Sequence, residues 1–136
     1  MKITFNHIKN KIKMKLVKKL GLWMDNSIAH IIEFVLEPFK IITIESETII
    51  PEKNIVIGEK RIHSKEQQQQ KEYYKKLSEV ISHYDEVILF GPTNAKSELF
   101  NIIKEDHRFA NIKIEVKQAD SMTSNQQLAF VRDYFS

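Results

Sequence analysis

The run Ile88-Leu89-Phe90-Gly91-Pro92-Thr93-Asn94-Ala95-Lys96 constrains the fold of this chain more than any other segment. A short apolar stretch stops at Gly-Pro, and a helical pattern begins at once. The segment reads as a buried strand that feeds a helix through a tight turn. Glycine reaches backbone dihedrals closed to other residues. Proline presets its own φ and lacks an N–H that a helix start leaves unpaired anyway. Such a turn aims the first free amides of the helix above the edge of a sheet. A strand covered on both faces and followed by a helix calls for an α/β architecture.

The flanking segments extend that pattern. Residues 20–25 and 28–36 read as two strands of an antiparallel hairpin, turned at Asn26-Ser27. After Glu37-Pro38, residues 40–46 are rich in β-branched side chains and read as a third strand. Residues 47–64, with Pro51, Gly58 and mixed charge, read as a loop, although Ile55-Val56-Ile57 is strand-like. A helix is predicted over 65–84, because Tyr73, Leu77, Val80, Ile81 and Tyr84 form one stripe. The run Gln67 to Gln70 reads as exposed surface in its first turns. A fourth strand covers 86–90, then a helix from about 93 to 105 with Leu99, Ile102 and Ile103 inward. Residues 111–117 alternate, with Ile112, Ile114 and Val116 on one side, as a half-covered strand does. Thr123-x-x-Gln126 is a capping box that opens a last helix, whose stripe is Leu128, Val131 and Phe135.

The element order is β-β-β-α-β-α-β-α. Right-handed crossovers place the fourth and fifth strands parallel to the first. The expected fold is α/β and ribonuclease H-like: a mixed five-stranded sheet with helices on both faces.

At 136 residues the chain suits one core. We expect a basic extension at 1–19 and a single domain at 20–136. No apolar run approaches the roughly 20 residues that span a bilayer, so no membrane span is expected. Cysteine is absent, which excludes disulfides and thiolate metal sites and agrees with a cytoplasmic protein. Charge is unevenly placed. Residues 1–20 hold Lys2, Lys9, Lys11, Lys13, Lys15, Lys18 and Lys19 and no acid, whereas the rest is mildly acidic. Such an arm commonly serves to bind polyanions. Its apolar residues Phe5, Ile8, Ile12, Leu16 and Leu20 share a broad helical face that lysines interrupt. Three readings stay open: an RNA-contacting arm, a membrane-surface helix, or an upstream extension with Met14 as the natural start.

Catalytic signatures are sparse. A two-metal nuclease on this fold needs three or four clustered carboxylates. Asp25 ends the first strand, but the fourth strand ends in Phe90-Gly91 without an acid, and Glu66, Glu72 and Glu79 on the first helix do not complete a metal-binding set. Asp25 reads as a hairpin-turn residue that bonds its own backbone. The five histidines His7, His30, His63, His83 and His107 lack metal-ligand spacing. No catalytic residue, metal or cofactor is expected. Interaction chemistry is richer. Lys60, Arg61 and Lys65 flank the start of the first helix. Together with Lys9, Lys11, Lys13, Lys15, Lys18 and Lys19 they are the candidate RNA contacts. Trp23 and Phe34 read as core.

Three separated motifs carry a resemblance. They are Leu20-Gly21-Leu22-Trp23-Met24-Asp25-Asn26 with Ala29-His30-Ile31, Phe90-Gly91-Pro92-x-x-Ala95-Lys96, and Ala119-Asp120-x-Met122-Thr123-x-Asn125-Gln126. Over residues 20–135 the chain resembles small bacterial translational machinery component-like proteins. Those in turn resemble the middle domain of eukaryotic and archaeal peptide-chain release factors and of Pelota. The family-motif residues are Asp25, Gly91, Pro92, Ala95, Lys96, Asp120, Thr123 and Gln126. Release factors carry a Gly-Gly-Gln loop between the opening strands and the first helix. Here that stretch, 47–64, has one glycine and no glutamine. The resemblance therefore implies a non-catalytic protein associated with the ribosome or ribosomal RNA, in stalling, hibernation or stress. The alternative is a protein-interaction or regulatory module that kept the fold without ribosome binding.

Overall fold

The computed structural model describes residues 17–37, 40–49 and 59–136. Strand β1 (Lys18–Met24) and strand β2 (Ala29–Glu37) form an antiparallel hairpin, and β3 (Lys40–Ile49) pairs antiparallel with β2. Helix α1 (Glu59–Ile81) leads to β4 (Glu86–Gly91), which lies parallel to β1. Helix α2 (Ala95–Lys104) and a 3-10 turn (His107–Phe109) lead to β5 (Lys113–Gln118), parallel to β4. Helix α3 (Ser124–Phe135) ends the chain's secondary structure. The sheet order is β3-β2-β1-β4-β5.

The two-residue period of the strands sorts side chains into two cores. Leu20, Leu22, Met24, Ala29, Ile31, Val87 and Leu89 face one side, where Tyr73, Tyr74, Leu77 and Ile81 of α1 and Leu99 and Ile103 of α2 cover them. Trp23, Ile32, Phe34, Ile88 and Phe90 face the other side, under Val131 of α3. Trp23 and Phe34 are thus core residues. Gly21 lies where α3 comes closest, because a Cβ there would fall 2.1 Å from a Val131 methyl.

The hairpin turn is closed by Asp25. Its Oδ1 accepts from the Ser27 and Ile28 amides, both at 2.7 Å, and its own N–H donates to the Ile28 carbonyl at 3.0 Å. The capping box at α3 is complete: Thr123 Oγ1 accepts from the Gln126 amide, and the Gln126 side chain accepts from the Thr123 amide.

Four expectations need correction. Strand β1 starts at Lys18 and α1 at Glu59, both earlier than the apolar patterns suggest, and β3 runs on to Ile49. The ends of the 47–64 stretch are therefore strand and helix. Residues 50–58, including Ile55-Val56-Ile57, lie outside the described residues, as do 1–16. Residues 63–72 contain no apolar side chain, so periodicity is blind to them, while Lys, Glu and Gln are good helix formers. Ile102 points outward, at 53% exposure. Leu99 and Ile103, four residues apart, set the buried face of α2. At about 100° per residue, Ile102 lies on the far side of Leu99 from Ile103.

Helix α1 outruns the sheet. The Tyr73 hydroxyl donates to the Asp25 carbonyl at 2.9 Å, which fixes Tyr73 level with the end of β1. The 14 residues of α1 before Tyr73 then extend about 20 Å beyond that edge, at 1.5 Å per residue.

Candidate functional site

The carboxyl ends of β1, β4 and β5 point the same way and form one edge. In open α/β sheets ligands gather at this edge, where the crossover direction changes. The structure brings the family-motif residues together here. Asp25 follows β1. Gly91, Pro92, Ala95 and Lys96 span the turn from β4 into α2. Asp120, Thr123 and Gln126 lie between β5 and the first turn of α3.

Gly91 is the keystone of the edge. Its φ of 155° is rarely open to L side chains, and a Cβ would sit 2.0 Å from the Met24 carbonyl oxygen. Its own carbonyl accepts from the Ala119 amide at 3.1 Å. The exit of β5 is thereby bonded to β4, and β4 approaches β1 at a point that only a residue without a Cβ can fill.

Lys96 is buried at 3% exposure, an outcome the apolar pattern does not announce. Its Nζ donates to the Thr93 carbonyl at 2.5 Å and to Gln118 Oε1 at 2.8 Å. Gln118 Nε2 donates in turn to the Pro92 carbonyl at 3.2 Å. One amine thus ties the loop after β4 to the end of β5. Neither partner is a carboxylate, and burial pushes the ammonium pKa below the usual lysine range. The spacing of 96, 99 and 103 was the available signal, since it sets Lys96 on the inward stripe of α2.

Gln127 is the other buried polar side chain among the described residues, at 2% exposure. Its Oε1 lies 2.6 Å from His30 Nδ1 and its Nε2 donates to the Met122 carbonyl at 3.1 Å. His30 also stacks on Trp23, with ring centroids 5.3 Å apart. His30 is therefore a satisfied polar residue at the hairpin, held against α3. Asn94 supplies no side-chain cap to α2, and Glu98 in its first turn accepts from the Tyr74 hydroxyl at 2.6 Å. Burial, then the Glu98 contact, raises the Tyr74 pKa above the usual phenol range.

Among the described residues no three acidic or histidine side chains cluster as metal ligands do. Depressions lie away from this edge, between α1, α2 and the 3-10 turn. One of about 220 Å³ is lined by Lys75, Glu79, Ile102, Asp106 and Arg108. No helix among the described residues is long and apolar enough to cross a membrane.

The candidate RNA contacts divide between two ends of the molecule. Lys18 and Lys19 open β1 at the amino edge of the parallel strands. The Lys18 ammonium sits 5.4 Å from the Tyr84 ring centre, and that of Lys19 5.5 Å from Phe135. Lys60, Arg61 and Lys65 occupy the first turns of α1, at the tip of the overhang beyond the carboxyl edge. Lys9, Lys11, Lys13 and Lys15 lie outside the described residues.

Solved structures similar to this chain include the Pelota protein of Thermoplasma acidophilum. That match has 17% identity and a TM-score of 0.54, and covers 97% of this chain and 38% of that one. The chain shares its fold with Pelota. Archaeoglobus fulgidus Pelota is similar too, at 12% identity and TM-score 0.53, over 97% of this chain and 37% of that one. The chain thus spans less than two-fifths of the Pelota proteins it matches. No protein-family model and no curated protein matches it.

Proposed function

We propose that this chain is a non-catalytic, cytoplasmic protein that associates with the ribosome or its RNA and acts when translation stalls or during hibernation or stress. The observation that carries the reading is the Pelota-type fold over 97% of the chain. The sheet is read as ribonuclease H-like, with the catalytic carboxylates of that fold replaced by a turn aspartate, Asp25, and by Gly91. The lysine-rich leader supplies a contact that needs no base readout, since phosphate neutralisation by lysine is independent of sequence. The helical overhang supplies reach, placing Lys60, Arg61 and Lys65 about 12–20 Å along α1 past the sheet edge. The second reading, an interaction module without ribosome binding, draws on exposed Ile102 and the depression beside it.

Sedimentation through sucrose gradients separates the two. Tagged protein should migrate with ribosomal subunits or monosomes at low salt and be released as salt rises. Free migration at low salt, in growing and in starved cells alike, would refute ribosome association and leave the interaction module.

A further inference from the structure

We propose that the chain pairs with a second copy of itself along β5, joining two five-stranded sheets edge to edge. Strand β5 is the last in the sheet, with β4 on one side and no strand among the described residues on the other. Two bonds fix which of its backbone groups face outward. The Lys113 amide donates to the Asp85 carbonyl at 3.0 Å, and the Ala119 amide to the Gly91 carbonyl at 3.1 Å. Alternation then turns residues 113, 115, 117 and 119 towards β4 and turns Ile114 and Val116 away from it. Such a row of outward N–H and C=O groups is a template for another strand. Ile114 and Val116 are only half-buried, so their side chains leave apolar surface along the same edge. A depression of about 430 Å³, lined by Phe100, Ile103, Phe109, Ile112 and Ile114, opens beside them.

The side chains select the occupant. On the α3 face Lys113, Glu115 and Lys117 are exposed and alternate in sign. Edge lysines ordinarily repel a second strand, but a glutamate set between two of them makes this edge complementary to itself. Antiparallel pairing about a two-fold axis must match outward residues with outward residues, which leaves registers centred on residue 114, 115 or 116. Centring on Glu115 sets like charges opposite one another. Centring on Val116 puts Ile114 against Gln118, and it calls on Lys117, which already lies over the Tyr134 ring at 4.9 Å. Centring on Ile114 suits both faces. Ile114 and the partner's Ile114 exchange a pair of backbone bonds, and Ile112 meets the partner's Val116 at the depression. Lys113 meets the partner's Glu115, once on each side of the axis. That charge pair falls at a position without hydrogen bonds, where facing side chains come closest. Glu115 accepts the Tyr134 hydroxyl through Oε2, which leaves Oε1 for the lysine.

The test is analytical ultracentrifugation of the full chain. Wild-type protein should move from monomer towards dimer as its concentration rises from about 5 to about 500 μM, the weak association expected of a short edge. Glu115→Lys sets lysine against lysine on both sides of the axis and should weaken dimerisation about tenfold. Lys113→Glu should do the same while keeping the Tyr134 contact, so it replaces the first variant if thermal melts show that one unfolded. The two changes together, Lys113→Glu with Glu115→Lys, restore opposite charges and should recover the dimer. Glu115→Lys with Lys117→Glu should not recover it. Amide exchange at Ile114 and Val116 should slow as the dimer forms. A monomer at every concentration overturns the pairing, and slow exchange of those two amides in that monomer would put another segment of the same chain on the edge. Dimerisation indifferent to both single variants places the contact elsewhere and overturns it too. Recovery by the second double variant in place of the first would centre the contact on Val116 and overturn the register at Ile114.

Discussion

The two edges of the parallel strands are closed by opposite means. At the amino edge one residue, Asp85, joins three strands. Its N–H donates to the Lys18 carbonyl at 2.8 Å, its Oδ2 accepts from the Lys18 amide at 2.9 Å, and its carbonyl accepts from the Lys113 amide at 3.0 Å. Two of those three bonds are pure backbone. The carboxyl edge instead depends on side-chain identity: a glycine no other residue replaces, a buried lysine, a glutamine and a tyrosine hydroxyl. A backbone clasp tolerates substitution because its atoms belong to every residue. A side-chain lock does not. Mutations of equal chemical size should therefore cost much more at the carboxyl edge, and that asymmetry is open to measurement by urea unfolding.

The largest effect is expected at Gly91. Gly91→Val forces a branched side chain into a positive φ and drives its Cβ into the Met24 carbonyl. Strain and clash together should cost roughly 3–5 kcal/mol. A loss under about 1 kcal/mol would show that the turn relaxes freely, and the contrast between the edges would fall.

Next comes Lys96, whose two variants discriminate. Lys96→Glu aims a carboxylate at the Thr93 carbonyl and Gln118 Oε1, both acceptors, and should cost about 3 kcal/mol. Lys96→Met keeps the volume and removes a buried charge that has no counter-ion among the described residues, so stability at neutral pH should change by no more than about 1 kcal/mol. If the methionine variant loses as much as the glutamate variant, the two hydrogen bonds outweigh the desolvation they offset.

Alkaline pH sharpens the same point. Burial raises the Tyr73 pKa beyond the usual phenol range, with the Asp25 charge adding to it, and Tyr74 moves the same way. Tyr134, through burial and the hydroxyl it gives to Glu115, is pushed up to about 12. In the unfolded chain these phenols lose protons near pH 10 while the folded state keeps them. Their stabilisation is thus complete below pH 10 and is lost as pH rises further. Lys96 works with the opposite sign. Its lowered pKa lets the folded state shed a proton first, so stability rises with pH just below the usual lysine value. Three groups oppose one, and net stability should fall above pH 10. Tyr73→Phe should cost about 1 kcal/mol at neutral pH and flatten that fall, by up to about 1.4 kcal/mol per pH unit. An unchanged slope would show that Tyr73 releases its proton in the folded state as well.

Elements that announce themselves by apolar period were legible in the sequence, and those held by polar residues were not. The stripe from Tyr73 to Ile81, the alternation in β5 and the Thr123-Gln126 box each follow from residues whose local chemistry allows one answer. The first turns of α1 escape because a helix with no apolar face has no period to read. Lys96 escapes for a related reason. A charged residue on an apolar stripe is normally discounted, and only the tertiary partners Thr93 and Gln118 make its burial affordable. Ile102 is the mirror case, an apolar residue that three-dimensional packing leaves out. The site was legible as motifs but not as a place. Asp25, Gly91 and Thr123 are separated by up to 98 residues, and only the parallel register of β1, β4 and β5 gathers them. The division of the basic residues between two ends depends on where α1 begins, which the apolar pattern misses.

The smallest effect is expected at Asp85, and it tests the other half of the comparison. Asp85→Ala removes one acceptor, Oδ2, from an exposed bond to the Lys18 amide, which water then solvates. The two backbone bonds through residue 85 survive, because alanine keeps the same N–H and C=O. The loss should be about 0.5 kcal/mol, the low end for a single exposed hydrogen bond. Asp85→Pro is the informative partner. It deletes the N–H that reaches the Lys18 carbonyl and restricts the residue before it, so it should cost several-fold more. A small alanine effect beside a large proline effect would place the strength of this edge in its main chain. Equal effects would mean that the carboxylate carries the clasp, and the two edges would then follow one rule.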